Sequence, residues 1–425
     1  MPFFQNIFYK CPLLFCLGLM CSILCNVSCN SLQTSDKAKA DSIAIIKLPA
    51  AGPVSAAELI RIKNNCQLWY DTVLKIKDFN GGILVAKSGN IVFEKYIGTG
   101  HLPGIDTISE NSPMHIASVS KTFTAMAVLK LRQDGKVNID EEFSKYFPAF
   151  NYPGITIRSL LNHRSGLPNY NYFMEKLGWD KSRYIGNEDV LNFLILRKAE
   201  LADISTPNSH FNYSNTNYAL LALLIEKISG LKYAEYLNQT FFIPLQMKNS
   251  YVFTLADTAK ALPSYNWRGG LEPYNFLDQV YGDKNIYSTP RDLLIWDRAL
   301  TSGIIFNKET LAQAYAPYSN EKPGMRNYGL GWRTNIFSEG NKIIYHNGWW
   351  HGSNATFIRL LKEDATIIVI GNKFTRAIYH AKILTSIFGN YYIPVEEEET
   401  LSLKIQDSAA ADNTFTDSVK YNTKK

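Results

Sequence analysis

Apolar positions recur along the chain at two different periods, and each period predicts a different kind of element. Between Val54 and about Lys77 they recur at helical spacing, which predicts a helix whose buried face contains Leu59, Ile62, Cys66, Trp69, Val73 and Ile76. The stretch GILVAKSGNIVFEKYIG holds two strand-like runs around Ser88-Gly89-Asn90, which is typical of a β-hairpin. A second helix is expected from Ala117 to about Gln133, because helical spacing returns and Gly135 suits its C-terminal stop.

Beyond residue 140 the pattern is first helical and then β-rich. Helical runs up to about residue 260 are TIRSLLNH, EDVLNFLILRKAE, NYALLALLIEKISG and AEYLNQTFF, and STPRDLLIWDRAL is typical of a capped helix. After Tyr328 come the short β-rich runs YGLGWRT, KIIYHNG, NATFIRLL and ATIIVIGNK, then a last helix near 378–389. We predict one α/β domain of the α+β type over 54–394. In this domain we expect an antiparallel sheet flanked by helices, with an all-helical subdomain inserted at about 140–280.

The first thirty residues differ from the rest, since five of the six cysteines lie there. Lys10 precedes the short apolar run Pro12–Leu24, which predicts an export signal over 1–29. Cys29 follows the small residue Ser28 and resembles a lipobox cysteine, so cleavage there would leave Cys29 as a lipid-attachment site. Plain secretion and an uncleaved anchor stay open as alternatives.

All three alternatives place the domain outside the cytoplasm, in the periplasm or at the cell surface. We expect residues 30–53 to form a tether between the anchor and the domain, because they are rich in Ser, Lys, Asp and Ala. The charged stretch 395–425 has few apolar residues and is expected to be a polar, disordered tail. The membrane is therefore an expected partner, reached through an N-terminal lipid anchor.

Composition excludes several classes of function. The net charge of +6 is small for 425 residues and its basic residues are scattered, so nucleic acid is not an expected partner. The long globular part contains one thiol, Cys66, which argues against a disulfide framework and favours a buried small hydrophobe. The seven histidines show no convincing metal spacing, and HExxH, GxxxxGK[ST], GxSxG and a Rossmann GxGxxG are absent from the sequence.

The tetrad SVSK, from Ser118 to Lys121, opens a long apolar-periodic helix. Residues three apart share a helix face, so the Lys121 amine can reach the Ser118 hydroxyl. Burial and the positive helix N-terminus both disfavour an ammonium there, so Lys121 can be the base that a serine nucleophile needs. Two other S-x-x-K tetrads lack this context, since Ser229 ends a predicted helix and Ser319 lies in a polar loop. On the tetrad alone, a helix-capping Ser118 and a solvated Lys121 are the simpler interpretation.

Two further segments carry side chains suited to the same chemistry. Tyr213 and Asn215 come just before a predicted helix, where a tyrosine hydroxyl can shuttle a proton and an amide can hold the lysine or a substrate carbonyl. His346-Asn347-Gly348 ends the run KIIYHNG, and a strand ending in Gly can lay its backbone beside a substrate. The N–H of Trp349 is then a candidate oxyanion donor, together with an N–H of the helix's first turn.

The order SVSK, YSN, HNG resembles the three motifs of the serine β-lactamase and penicillin-binding-protein superfamily. The match is nearer to its class C-like branch, which holds class C β-lactamases, D-alanyl-D-alanine carboxypeptidases, aminopeptidases and related esterases. The accessory segments SLLNHRSGLP, NIYSTPRDLLIWDRAL and YGLGW are similar too. The resemblance covers roughly residues 75 to 390, and the three motifs in this order are specific as a set.

This resemblance implies a role for each matching position. Ser118 attacks a carbonyl and becomes acylated, Lys121 and Tyr213 handle the proton, and water releases the acyl group. The N–H groups of Ser118 and Trp349 form the oxyanion hole. No metal or organic cofactor is implied. The residues implied in substrate binding are Asn215, His346, Asn347, Gly348 and Trp349.

The third motif departs from the superfamily, because His346 stands where lactamases and carboxypeptidases usually carry Lys. A histidine is mostly neutral at pH 7, so we expect a weaker demand for an anionic substrate. Trp349, Trp350 and the stretch 168–173 supply aromatic area for an apolar pocket, although both tryptophans are equally consistent with core packing. His163 and His115 are expected to be structural.

Three functions compete on these grounds. The first is an exported serine hydrolase that cleaves an ester or amide of a small molecule or peptide through acyl-Ser118. The second is a D-Ala-D-Ala carboxypeptidase or β-lactamase that uses the same residues on peptidoglycan peptides or β-lactams. The third is a non-catalytic lipoprotein that binds the cell wall. Reactive residue types at all three motif positions argue against the third.

Overall fold

The computed structural model describes residues 43–104, 106–202 and 204–391, and one compact unit begins at Lys47. The expectations for the export signal, for Cys29, for most of the tether and for the tail lie outside the described residues. None of the helices in the described ranges is long and apolar enough to cross a membrane.

A seven-stranded antiparallel sheet, in the order β2-β1-β12-β11-β10-β9-β8, is the largest sheet of the described residues. Two smaller sheets have the orders β3-β7-β4 and β5-β6. The strands are β1 Gly81–Lys87, β2 Asn90–Ile97, β3 Met114–His115, β4 Tyr251–Val252, β5 Ser264–Tyr265, β6 Leu271–Glu272, β7 Ile286–Ser288, β8 Arg326–Tyr328, β9 Arg333–Ile336, β10 Lys342–Trp350, β11 Ser353–Leu360 and β12 Ala365–Gly371.

Helices cover the sheet and form most of the segment between its first hairpin and its last strands. They are α1 Ala56–Trp69, α2 Ser120–Gln133, α3 Ile157–Leu161, α4 Tyr170–Lys176, α5 Asn187–Leu196, α6 Asn215–Ser229, α7 Tyr233–Leu237, α8 Pro290–Thr301 and α9 Lys308–Ala314. A 3₁₀ segment, Arg376–Ile387, follows β12 where the sequence predicts the last helix. The start of α8 illustrates the local cause, since Thr289 accepts the N–H of Asp292 and Pro290 occupies the first turn.

The core lies on both faces of the large sheet. One face packs its apolar side chains against α1 and the final 3₁₀ segment, with Cys66 fully buried among them, as expected from the sequence. The other face carries α8 against β1 and β12. Helix α2 is buried along most of its length and contacts α6, so the two motif-bearing helices are neighbours.

The structure adjusts three boundaries of the sequence prediction. The segment at 140–280 is mainly helical through Phe242, after which β4, β5 and β6 add short strands around a 3₁₀ turn at Leu255–Asp257. β10 does not end at Gly348, because Trp349 and Trp350 continue the pairing with β11. The end of the predicted tether is held on the β1–β2 turn, where the Gly52 N–H donates to the Ser88 carbonyl at 2.7 Å.

Candidate active site

Ser118 lies in a 3₁₀ turn, Ala117–Val119, that leads directly into α2. The turn begins with Ala117 in the left-handed region (φ 48°), a conformation that costs energy for a residue with a β-carbon. The Nδ1 of His115 accepts the Ala117 N–H at 3.1 Å, and its ring N–H faces Asn285 at 3.3 Å. His115, which the sequence places in a structural role, therefore holds the turn that presents Ser118.

Lys121 is fully buried one turn further on, and its amine is directed at the nucleophile. Its Nζ donates to the Ser118 Oγ at 3.0 Å and to the backbone carbonyl of Asp283 at 2.7 Å. The ring centroids of Tyr213 and Tyr218 lie 5.1 and 5.7 Å from the same nitrogen. The structure thus brings Ser118, Lys121 and Tyr213 together at one point.

The second motif precedes α6 and is fixed by His163. The Ser214 N–H donates to the His163 Nδ1 at 3.2 Å, and the rings of His163 and Tyr213 lie 4.2 Å apart. This geometry agrees with the structural role expected for His163, whose pKa is well below its usual value because the ring is buried. Asn215 is held more loosely, since its Nδ2 reaches the Asn171 side chain at 3.3 Å. Its Oδ1 is buried and has no hydrogen-bond partner among the described residues.

The third motif runs beside the nucleophile turn along β10. A β-carbon at position 348 would lie 2.3 Å from the Ile116 carbonyl oxygen and 3.1 Å from the Ser118 nitrogen, so only glycine permits this approach. The carbonyl of Gly348 accepts a hydrogen bond from Tyr379 at 2.8 Å, which fixes the strand. Trp349 is 37% exposed, and its ring packs 5.7 Å from Phe374.

His346 is fully buried in this motif, and its pKa lies well below the usual value because of burial and the nearby charges of Arg333 and Lys121. Its Nδ1–H donates to the Asn347 carbonyl at 2.7 Å, so its Nε2 accepts from the Tyr328 hydroxyl at 3.1 Å. The ring is therefore neutral, as the sequence predicts. The Asn347 Oδ1 accepts from the Thr356 hydroxyl on β11 at 2.7 Å.

A guanidinium that sequence reasoning missed stands at this site. Arg333 begins β9, and its Cζ lies 5.1 Å from the Tyr213 ring centroid and 5.8 Å from that of Tyr328. Within the described ranges the Arg333 guanidinium makes neither a hydrogen bond nor an ion pair, whereas its backbone pairs with β8 and β10. The run YGLGWRT predicts only a strand, and no signal in the sequence indicates that Arg333 joins the three motifs.

The two other S-x-x-K serines lack a lysine partner in the part of the chain that the structure describes. The Ser229 hydroxyl donates to the Ile225 carbonyl at 2.7 Å, within the helix that it ends. The Ser319 hydroxyl is buried without a hydrogen-bond partner. Among the described residues no group of three His, Cys, Asp or Glu side chains is placed to hold a metal ion.

The sequence model of the family described as Beta-lactamase matches residues 75–387. The chain belongs to the beta-lactamase family. This membership confirms the superfamily resemblance and the mixed α/β fold with an antiparallel sheet.

One curated relative and two solved structures illustrate what this chain is similar to. Penicillin-binding protein 4* of Bacillus subtilis is 29% identical over 368 residues, which cover 82% of this chain and 81% of the relative. A penicillin-binding protein structure from Bacillus halodurans has a TM-score of 0.66 at 22% identity, over 75% of this chain and 98% of the other. The D-amino acid amidase of Ochrobactrum anthropi complexed with L-phenylalanine has a TM-score of 0.61 at 21% identity, over 78% and 96%. The two structural likenesses show the fold.

Proposed function

We propose that this chain is a serine hydrolase that cleaves an ester or amide through an acyl-enzyme on Ser118. The observation that carries the proposal is the 3.0 Å hydrogen bond between the Lys121 Nζ and the Ser118 Oγ. A serine becomes a nucleophile when an adjacent base can take its proton, and this pair is within reach for that transfer. Membership of the beta-lactamase family supports the same chemistry.

The proposed reaction assigns a step to each of these groups. Lys121 accepts the Ser118 proton while the Oγ bonds to the substrate carbonyl carbon, and the carbonyl oxygen becomes an oxyanion. The N–H groups of Ser118 and Trp349 bind that oxyanion. When the carbon–leaving-group bond breaks, the Tyr213 hydroxyl passes a proton to the departing atom and regains one from Lys121. Water then attacks the acyl-serine and releases the acid.

Arg333 favours one substrate class as a second, narrower candidate. Its guanidinium faces the Tyr213 ring and has no ionic partner in the described chain, so its donors are available to a carboxylate. Since the proposed reaction has Tyr213 protonate the leaving group, a carboxylate on that group would lie beside Arg333. Peptides with a free C-terminal carboxylate, as in a D-Ala-D-Ala carboxypeptidase, fit this arrangement. The name of the penicillin-binding relative points the same way.

We also propose that the chain is exported and carries a lipid at Cys29, since residues 1–29 have the composition of an export signal. The protein would then meet peptidoglycan peptides or small esters outside the cytoplasm. Labelled palmitate should be incorporated into the wild-type chain and not into Cys29→Ser. Equal labelling of both chains would contradict the anchor.

The catalytic proposal is tested by p-nitrophenol release from p-nitrophenyl butyrate. Ser118→Ala is expected to lower kcat/KM by at least about a thousandfold, as loss of a catalytic nucleophile usually does. Ser319→Ala is the matched control, because Ser319 also begins an S-x-x-K tetrad but contacts no lysine, and it should retain the wild-type rate. Equal activity in Ser118→Ala and the wild type would overturn the assignment.

A further inference from the structure

A second lysine is buried beside the first one, outside the three motifs. Lys284 is 3% exposed and forms an ion pair with its neighbour Asp283, which is 1% exposed, at 3.4 Å. Asp283 is also the residue whose backbone carbonyl accepts the Lys121 Nζ at 2.7 Å. One residue therefore contacts both lysines, through its carbonyl on one side and its carboxylate on the other.

Two aromatic side chains surround the ammonium of this ion pair. The Lys284 Nζ lies 4.6 Å from the Trp350 ring centroid and 5.1 Å from that of Tyr170. It donates to the Tyr170 hydroxyl, which in turn donates to the Asp283 carboxylate at 3.0 Å. Since Trp350 ends β10 and Tyr170 begins α4, the ammonium links the sheet side of the site to its helical side.

Packing alone does not explain a lysine at this position. Burying an ion pair costs solvation free energy, and apolar side chains of similar volume often give equal or greater stability. Burial lowers the pKa of Lys284, whereas the neighbouring charges of Asp283 and Asp278 oppose that shift. The Lys284 and Lys121 charges interact, and the Asp283 backbone carbonyl binds Lys121, so a change in either member of the pair acts next to Lys121.

We infer that the Asp283–Lys284 pair positions Lys121 and balances the charge around it, so that Lys121 can act as the base that takes the Ser118 proton. The carboxylate of Asp283 alone would hold Lys121 as an ammonium, and the ammonium of Lys284 cancels that effect. Lys284 is a positioning residue in this sense, since it acts through Asp283 and Lys121. The inference rests on the proposed function, in which Lys121 is the base.

Other polar and charged groups also face Lys121 and stay constant in the experiment. They come from the nucleophile turn, the loop after α3, the loop before α6, α6 itself and β10, and they are Ser118, His163, Tyr213, Tyr218 and His346. Because none of them is altered, a difference between variants of the pair reports the charges of the pair.

The test is the pH dependence of ester hydrolysis in three variants. Lys284→Met leaves the Asp283 carboxylate uncompensated, so the pH at which activity rises should move up by about one unit. Asp283→Asn leaves the Lys284 ammonium uncompensated and keeps the carbonyl, so that pH should move down by about as much. The double variant removes both charges, and its activity should rise near the wild-type pH.

Lys382→Met is the matched control, because Lys382 is also a buried lysine that lies over an aromatic ring. Its Nζ is 4.1 Å from the ring centroid of Tyr345, on the far side of the sheet. Its pH profile should equal that of the wild type. Superimposable profiles for all variants, or an equal loss of rate at every pH together with lower melting temperatures, would overturn the inference. A wild-type rate that is flat from pH 6 to 9 would instead overturn the role of Lys121 in the proposed function.

Discussion

At the scale of single residues, the positive charge beside Tyr213 does not come from the histidine of the third motif. The histidine of the third motif is buried and neutral, because His346 gives its ring N–H to a carbonyl and accepts from Tyr328. The positive charge comes instead from Arg333, one strand away in the sheet. The proposed binding of a carboxylate by Arg333 would offset the weaker demand for an anionic substrate that His346 predicts.

This placement predicts a selective effect of Arg333→Met. Loss of a charge-assisted hydrogen bond to a carboxylate should lower kcat/KM by roughly 10- to 100-fold for peptides with a free C-terminus. Neutral p-nitrophenyl esters should change by less than about threefold, since they offer no carboxylate. The measurement compares a peptide acid with its C-terminal amide in both proteins. An equal loss on acid, amide and ester would contradict carboxylate binding by Arg333.

At the scale of elements, the site depends on how closely β10 approaches the turn before α2. The strand passes the nucleophile turn at Gly348 and is held there by Tyr379. Its pairing with β11 continues through Trp350, so this pairing fixes the segment after the glycine. The proposed oxyanion hole requires this segment to present the Trp349 N–H toward Ser118.

Gly348→Ala should therefore lower kcat by about a hundredfold or more with little change in fold. The added methyl group would press the Ile116 carbonyl at 2.3 Å and move the strand from Ser118, which weakens an oxyanion contact. The control is Gly186→Ala at the start of α5, where a β-carbon meets only the Asp189 carboxylate at 3.4 Å. Full activity in Gly348→Ala, with circular dichroism unchanged in both, would refute a close approach of β10.

The elements that the sequence predicts well are those with strong periodicity and local end signals. The β1–β2 hairpin, α2 and α6 fall within a few residues of their expected bounds, because turns, caps and apolar spacing are local properties. The end of β10 was misplaced, since Trp349 and Trp350 are held by pairing with β11 rather than by a local signal. Arg333 and the Asp283–Lys284 pair were missed for a similar reason: they join the site only through long-range contacts.

At the scale of the whole molecule, three histidines are buried in the neutral form around the site. The pKa values of His163 and His346 lie well below the usual 6.5, and that of His115 falls to about 4, in each case mainly because of burial. The unfolded chain binds protons at these histidines near pH 6.5, whereas the folded chain does not. The stability that these neutral histidines contribute is therefore fully present above that pH and is lost as the pH falls below it.

Thermal melts should show this loss between pH 6.5 and about 4. In that range each such histidine lowers the folding equilibrium constant roughly tenfold per pH unit. His115→Asn removes one titrating group and should reduce the slope of melting temperature against pH. His210→Asn, at an exposed position, should leave the slope unchanged. A slope equal to the wild type's in His115→Asn would show that His115 does not contribute.

The central claim is a covalent acyl-enzyme on Ser118, and intact mass tests it most directly. The protein is mixed with benzylpenicillin or a slow p-nitrophenyl ester, quenched in acid, weighed, and then mapped by peptide mass spectrometry. The account predicts one acyl group per chain on the peptide that contains Ser118, absent from Ser118→Ala and present in Ser319→Ala. Acylation of another residue, or product release with no mass increase at any quench time, would contradict it.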